Sequence, residues 1–440
     1  MYQEEYRRKL LTPSAAAETI RNGEAVLLPG GAITPVEFGN ALPQLIGRRR
    51  NIRLVTYLPL ADLAIYKAEN AGETFAMEAP FYNRFLQGPA DRDCCGFIPN
   101  HLRNISRDWL TAVPEIDLMV VTVSPMDHHG WFTMTGSAIL EWDLLPRTKR
   151  LIVEVASHGP RTFGDTLIHI SQVDGIIESD RYPPVLPREA PTPEDELLGG
   201  YVAELVDDGS TIQLGFGGTI DALASQLKKK RGLGIHTESF SDCAMELLKC
   251  GAATNANKTL HRGLTVTSFT MGTEELYDYI NDNPAILHKS LSYTNDLSVI
   301  AQNRKMVSIN AALHVDLSGQ CASEAVGTHQ VSGSGGQADT GVGAQMAGGK
   351  SVITLKSTRI RNDPVTGRHC RESCIVPVLP LGSCVTYTRS NVHFVATEYG
   401  AVCLRGLTVK ERARKLISIA HPDYRDWLQE EFEHLYHMKL

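Results

Sequence analysis

A chain of 440 residues, 42% apolar and 21% charged with 37 Gly and 22 Pro spread along it, is too long for one ordinary domain and too rich in core-forming residues to be disordered, collagen-like or a coiled coil. Lys and Arg total 43 against 50 Asp and Glu, a formal net charge of -7, so the basic footprint of a nucleic-acid binder is missing and nucleic acid is not an expected partner. No window approaches the ~18–20 uninterrupted apolar residues that cross a bilayer, and Met1 to Arg8 lack the apolar core of a signal peptide. These features predict a cytoplasmic protein with no membrane partner. Its nine cysteines, an odd number without Cys-x-x-Cys spacing, read as reduced thiols.

In chain order, short β-branched apolar runs predict strands at 25–28, 52–56, 118–123 and 151–155, then at 212–214, 233–237, 306–309 and 352–355. Helical patterns fall between them, which makes this an α/β chain with buried, largely parallel strands. Residues 182–193 hold too many prolines for a helix or a central strand and read as an interdomain linker. The expected organisation is one α/β domain over 1–186, a linker over 187–196 and a second α/β domain over 197–440. Segments of the two halves match in the same order at a separation of about 185–200 residues. Residues 22–31 match 208–217, 51–57 match 232–238, 118–123 match 306–311, and 150–155 match 350–355. Two similar domains related by internal duplication are therefore expected, with the active site in the cleft between them.

Several segments are candidates for chemistry. Gln213-Leu214-Gly215-Phe216-Gly217-Gly218 ends a strand, and 219–230 continue with apolar residues at helical spacing. Free N–H groups of such a first helical turn suit an anion or a developing oxyanion, although a plain βα turn reads the same way. A second glycine cluster, Gly333-Ser334-Gly335-Gly336-Gln337-Ala338-Asp339, lies within 332–349, a stretch with little apolar material that predicts an extended loop. Neither cluster fits Gly-x-Gly-x-x-Gly. Residues 344–351 imitate a phosphate-binding loop, but a strand follows where that motif requires a helix.

Glu238 follows the strand predicted at 233–237, at the carboxyl end where open α/β sheets place ligands. It suits a nucleophile or general base, but the local pattern alone favours a solvated carboxylate before a helix that Ser241 or Asp242 caps. In Asp127-His128-His129, adjacent histidines on a strand would point to opposite faces and make poor joint ligands, so no metal is expected. Thr408-Val409-Lys410-Glu411 is a capping box that opens a helix toward Pro422.

Taken together, these segments resemble the acetyl-CoA hydrolase/transferase family of coenzyme A transferases over nearly the whole chain. Ser124-Pro125-Met126-Asp127-His128-His129-Gly130 resembles S-P-x-D-x-H-G, and Pro160-Arg161-Thr162-Phe163-Gly164-Asp165 resembles P-R-T-x-G-D. Gln213 to Gly218 resembles Q-x-G-I-G-G, and Gly234-Ile235-His236-Thr237-Glu238 resembles G-I-H-T-E. Gly333 to Asp339 resembles G-x-G-G-Q-x-D, and Thr397-Glu398-Tyr399-Gly400 and Ile419-Ala420-His421-Pro422 resemble T-E-Y-G and I-A-H-P. The chain departs from the pattern at Leu28 to Pro35, Cys243, Thr340 and Ala156.

The resemblance implies two domains of the CoA-transferase type and a ping-pong exchange of CoA between short C4–C5 carboxylates such as 4-hydroxybutyrate, butyrate, succinate or itaconate. It makes Glu238 the nucleophile that forms a glutamyl-CoA thioester. Gln213, Gly215, Phe216, Gly217, Gly218, Gly335, Gly336 and Gln337 become the groups toward CoA, which is a substrate, with no tightly bound cofactor. Hydrolysis of a short acyl-CoA by the same residues is the alternative. A dicarboxylate would call for a cation, for which Arg84 and Lys356 are candidates, and a homodimer is expected from the prevalence of symmetric pairs.

Overall fold

A computed structural model describes residues 2–362 and 369–440. By contact the chain divides into two compact units, Met1–Pro187 with Thr237–Asp242 and Leu264–Asp296, and Arg188–His236 with Cys243–Gly263 and Leu297–Leu440. The sequence put Glu238 in a domain over 197–440, whereas by contact it belongs to the first unit. Short ladders explain this difference. Ser239–Phe240 pairs in parallel with Phe269–Thr270, Thr265–Thr267 pairs with Ile286–His288, and that strand pairs with Phe163–Gly164. Gly164 is required there, because a Cβ would stand 2.0 Å from the His288 carbonyl oxygen.

The main sheet of the first unit is built from β1 (Ala25–Leu28), β2 (Ile52–Thr56), β3 (Phe75–Ala79), β4 (Cys95–Phe97), β5 (Leu118–Val123), β6 (Leu151–Ala156) and β7 (Gly175–Ser179). Its order is β7-β6-β5-β1-β2-β3-β4, and every pair is parallel. Strands buried on both faces need apolar residues at consecutive positions. In β1 and β5, Leu27, Met119 and Val121 join one core while Val26, Leu28 and Val120 join the other. The sheet order reverses at β1, so the loops after β1 and β5 form a topological switch point.

The loop after β1 is buried and held by side chains. Thr135 Oγ1 donates to Ala32 O and Thr122 Oγ1 to Thr34 O, each at 3.0 Å. Glu154 of β6 then accepts from Glu37 N and Phe38 N, at 3.1 and 3.0 Å, in the first turn of the helix Val36–Ala41. Burial pushes the Glu154 carboxyl up to about 7.

The second unit carries β8 (Thr211–Gln213), β9 (Gly234–Ile235), β10 (Met306–Ala311), β11 (Lys350–Thr354), β12 (Phe394–Thr397) and β13 (Gly400–Cys403), in the order β9-β8-β10-β11-β12-β13. Only the last pair is antiparallel. The four matched pairs, β1 with β8, β2 with β9, β5 with β10 and β6 with β11, stand in the same order in both sheets. A duplicated unit would leave this pattern. The strand expected at 233–237 is shorter because the chain leaves the sheet at Thr237, whose N–H bonds to Val266 O at 3.0 Å.

Two expectations about irregular segments need correction. The stretch 332–349 is not an extended loop throughout, since Gln337–Met346 is a helix. Its glycines suggested a loop, yet packing demands them. A Cβ at Gly341 would lie 2.6 Å from the Tyr387 hydroxyl, and one at Gly343 would lie 2.6 Å from Ile300 Cγ2. The proline-rich segment is irregular only as far as Thr192. That residue caps the helix Pro193–Glu204 in a capping box with Asp195, and Pro193 fits the first helical position because its missing N–H is not needed there. Thr408 and Glu411 form the expected capping box on Val409–Ser418. Among the described residues no helix is long and apolar enough to cross a membrane.

Glu141 is 1% exposed, its Oε1 is buried without a hydrogen-bond partner, and burial pushes its carboxyl up to about 8. Below the ordinary carboxylate value of 4.5, the folded and unfolded states are both protonated and this group adds no pH dependence. Between 4.5 and about 8 the unfolded chain ionises first, so folding stability falls as pH rises. Glu141→Gln removes this dependence, and its stability relative to the wild type should climb by up to roughly 1.4 kcal/mol per pH unit across that window. Denaturant unfolding of both proteins at pH 5, 6, 7 and 8 measures the gap, and a constant gap would contradict the burial argument.

Candidate active site

In the first unit Glu238 lies between β9 and the strand Ser239–Phe240, with 8% of its surface exposed. Its carbonyl accepts from Ser268 N and Phe269 N, both at 2.9 Å, and from Thr267 Oγ1 at 2.9 Å. Three donors on one carbonyl fix the backbone and leave the side chain as the moving part. Glu238 Oε1 accepts from Asn295 Nδ2 at 3.1 Å, and Asn295 is fully buried at the end of the short helix Leu291–Thr294. A hydrogen bond to one oxygen of a carboxylate orients it.

The position of Asn295 traces back to Asp165, the last residue of Pro160-Arg161-Thr162-Phe163-Gly164-Asp165. Asp165 accepts from Lys289 Nζ at 2.5 Å and from Ser290 N at 3.1 Å, immediately before the helix that ends in Asn295. Asp127 pairs with Arg161 at 3.1 Å, which joins the two motifs of the first half. Burial raises the Asp127 carboxyl, but the N–H groups of Trp131 and His129 and the Arg161 guanidinium together hold it below its ordinary value. His128 and His129 do not point to opposite faces of a strand. They sit in a turn that Asp127 closes by accepting from His129 N and Trp131 N, and their ring centroids are 3.8 Å apart.

In the second unit the predicted groups toward CoA fall on two helix starts. Gly215 to Gly217 link β8 to the helix Gly218–Leu227, with Gly217 at φ 107, a value closed to side-chain-bearing residues, and with Phe216 48% exposed. Gly335, at φ 58, and Gly336 precede the helix Gln337–Met346. Gln213 faces inward, and its Oε1 accepts from Ser308 Oγ, Ile309 N and Asn310 Nδ2 at 3.1 to 3.2 Å. Thr340, one of the departures from the family pattern, accepts from Ser308 Oγ at 2.9 Å and Asn310 Nδ2 at 3.1 Å. One polar network on β10 therefore ties both glycine segments together. Gln337 donates to Ala311 O at 3.2 Å, while its Oε1 is buried without a partner.

Thr397 Oγ1 donates to Ile419 O at 2.6 Å and the Tyr399 and His421 ring centroids are 5.5 Å apart, so the last two motifs meet. Glu398 is 8% exposed and accepts from Ser357 N at 2.9 Å and from Ser357 Oγ. Lys356, a candidate cation, pairs with Asp195 at 3.0 Å, and Arg84 lies 4.7 Å from the centroid of the Phe85 ring. Asn295, Lys289 and Ser357 were not singled out in the sequence. Asn295 lies in Tyr293-Thr294-Asn295-Asp296, where nothing local separates a ligand of a carboxylate from a helix-ending asparagine.

Residues 1–187 match the acetyl-CoA hydrolase/transferase N-terminal domain, and residues 272–432 match the acetyl-CoA hydrolase/transferase C-terminal domain. The chain is 38% identical to the succinyl-CoA:cyclohexane-1-carboxylate CoA transferase of Geobacter metallireducens, over 98% of this chain and 96% of that protein. It is 35% identical to the 4-hydroxybutyrate coenzyme A transferase of Clostridium kluyveri, over 98% and 99%. The crystal structure of RipA from Yersinia pestis superposes with a TM-score of 0.91 at 33% identity, covering 100% of both chains. Both halves of the chain thus match the family, and so does nearly its full length: the protein belongs to the acetyl-CoA hydrolase/transferase family.

Proposed function

We propose that the protein is an acyl-CoA:carboxylate CoA-transferase, that Glu238 is its nucleophile, and that it acts on short-chain carboxylates. The observation that carries this reading is the setting of Glu238, buried and fixed at its backbone, with one carboxylate oxygen held by Asn295. The Glu238 carboxylate attacks the thioester carbonyl and CoA leaves as its thiolate, which gives a mixed anhydride. The thiolate then attacks the glutamyl carbonyl and expels the first carboxylate, leaving a glutamyl-CoA thioester. An incoming carboxylate attacks this thioester and releases the thiolate. Attack of the thiolate on the new acyl carbonyl yields the product acyl-CoA and frees Glu238. No nucleotide is consumed, because the thioester free energy is conserved.

Each addition creates an oxyanion. The N–H groups at Gly217 and Gly218 or at Gly335 and Gly336 are the proposed donors, each contributing about 3 kcal/mol when aimed at the developing charge. Coenzyme A thus serves as a substrate.

Mass spectrometry of the CoA products, with butyryl-CoA as donor and acetate, 4-hydroxybutyrate or succinate as acceptor, tests the reading. New acyl-CoA species are expected only when an acceptor is added. Free CoA accumulating equally with and without acceptor would make the protein a hydrolase.

A further inference from the structure

We infer that Thr340 is a positioning residue for the reaction: through the Gly336 carbonyl, its buried hydroxyl fixes the peptide planes of Gly335-Gly336-Gln337, so that their N–H groups keep the aim a developing oxyanion needs. This inference rests on the reading of that segment as an oxyanion donor in a reaction carried by Glu238.

Two adjacent glycines are a poor scaffold for an aimed donor. Neither has a side chain to pack, and glycine loses more conformational freedom on folding than any other residue. A donor stabilises a transition state most when it is held in place before the charge develops. Something outside the glycines must therefore hold them. Gly336 O accepts from Thr340 N at 2.7 Å and from Thr340 Oγ1 at 2.9 Å, so both lone pairs of that carbonyl are engaged by one residue. The peptide bond is planar and trans, and its N–H points away from its carbonyl. Holding Gly336 O thus sets the direction of Gln337 N–H, which opens the helix Gln337–Met346 and has no acceptor within it.

The hydroxyl is in turn held from the sheet. Thr340 is 2% exposed, and a hydroxyl has one proton to give and two lone pairs to fill. The proton goes to Gly336 O, while the oxygen accepts from Ser308 Oγ at 2.9 Å and from Asn310 Nδ2 at 3.1 Å. Both partners lie on β10, which has β8 on one side and β11 on the other and is a rigid support. Gln337 is tied to the end of the same strand through Ala311 O, and its Oε1 is buried without a partner, an acceptor left for a ligand at this helix start. Any residue but proline at 340 could supply the helical N–H bond to Gly336 O. The second bond needs a hydroxyl, as Ser and Thr provide toward the carbonyl four residues back. Thr340 departs from the family pattern, so this hold belongs to the present chain and not to the shared motif.

Thr340→Val keeps the branched shape and removes the hydroxyl, whereas Thr340→Ser keeps the hydroxyl. With butyryl-CoA and acetate, kcat of Thr340→Val should fall about tenfold, a part of the roughly 10²–10³-fold that loss of a whole oxyanion donor costs. KM for butyryl-CoA should change by less than about twofold, as expected when the lost interaction acts in the transition state alone. Thr340→Ser should bring kcat back to within about threefold of the wild type. Thr340→Ala replaces the Val variant if that one does not fold, as judged by circular dichroism. A hydroxyl that only supports the fold would lower the melting temperature of Thr340→Val and leave kcat unchanged, and that result overturns the inference. So does a loss carried by KM, or a Ser variant as slow as the Val variant. Failure of the underlying reading looks different: Glu238→Gln would then retain exchange, whatever the Thr340 variants do.

Discussion

Glu238→Gln and Glu238→Ala are expected to lose CoA exchange by on the order of 10⁴-fold or more, the scale on which enzymes lose rate when a covalent nucleophile is removed. The Gln variant is the more telling of the two. It keeps the length of the side chain and an oxygen for the 3.1 Å bond from Asn295, and the backbone stays clamped by Ser268 N and Phe269 N. What it loses is the carboxylate that forms the anhydride. Glu238→Asp keeps the charge and retracts it by one methylene, and a misplacement of about 1 Å costs on the order of 10²-fold when geometry carries the rate. The graded series Glu, Asp, Gln is therefore a sharper test than one knockout. Product formation followed by mass spectrometry reads all three, and wild-type turnover in the Gln or Ala variant would remove Glu238 from the mechanism.

Gly30→Ala should lower folding stability by about 3 kcal/mol or more, at the upper end of what overpacking costs. A Cβ at Gly30 would stand 1.6 Å from Tyr57 O and 2.5 Å from Leu58 O. Both are backbone atoms and have little room to yield. Leu58 O accepts from Gly31 N at 2.9 Å, and Leu58 N donates to Phe81 O at 3.3 Å. Leu58 itself sits at φ 39, a strained value for leucine. The loops after β1 and β2 thus cross backbone against backbone, in the segment where the chain departs from its family pattern. Gly23→Ala is the control, since Gly23 also lies in a turn, at φ 78, but has nothing within 4 Å of its Cβ position. That substitution should cost only about 1 kcal/mol, for the left-handed backbone alone. Denaturant unfolding separates the two variants, and equal costs would refute the close crossing.

The central strands of the large sheets were legible in the sequence because strands buried on both faces are written as runs of Val, Ile and Leu, whereas β3, β4, β7, β12 and β13, toward the sheet edges, were not read. The runs at 25–28, 52–56 and 118–123 coincide with β1, β2 and β5. The small ladders of 239–240, 265–270 and 286–288 were not legible, since two or three residues are too few to show a period of two. The helix Gln337–Met346 was hidden for a different reason. Its buried residues are Gln337, Asp339, Thr340, Gly341, Gly343 and Ala344, all small or polar, so it lacks the apolar stripe that announces a helix. Glu238 stood out by its place at a strand end, but only the resemblance of its motif chose a nucleophile over a solvated carboxylate, because the two look the same in the local pattern. Asn295 had no such motif to mark it, and its significance rests on a contact between residues 57 positions apart.

The short ladders also bear on how this chain can change over generations. The match to the family's N-terminal domain ends at residue 187, which invites the view of two exchangeable modules. Yet the first unit is completed by Thr237–Asp242 and Leu264–Asp296, which supply the partner strand of Phe163–Gly164 and the glutamate itself. A recombination event near residue 187 would pair one ancestor's Asp165 with another's Lys289, Ser290 and Asn295. Asp165 and Lys289 form an ion pair and have to be inherited together although more than a hundred residues separate them. Lineages of such a chain should therefore diverge by substitution along its whole length more readily than by exchange of halves.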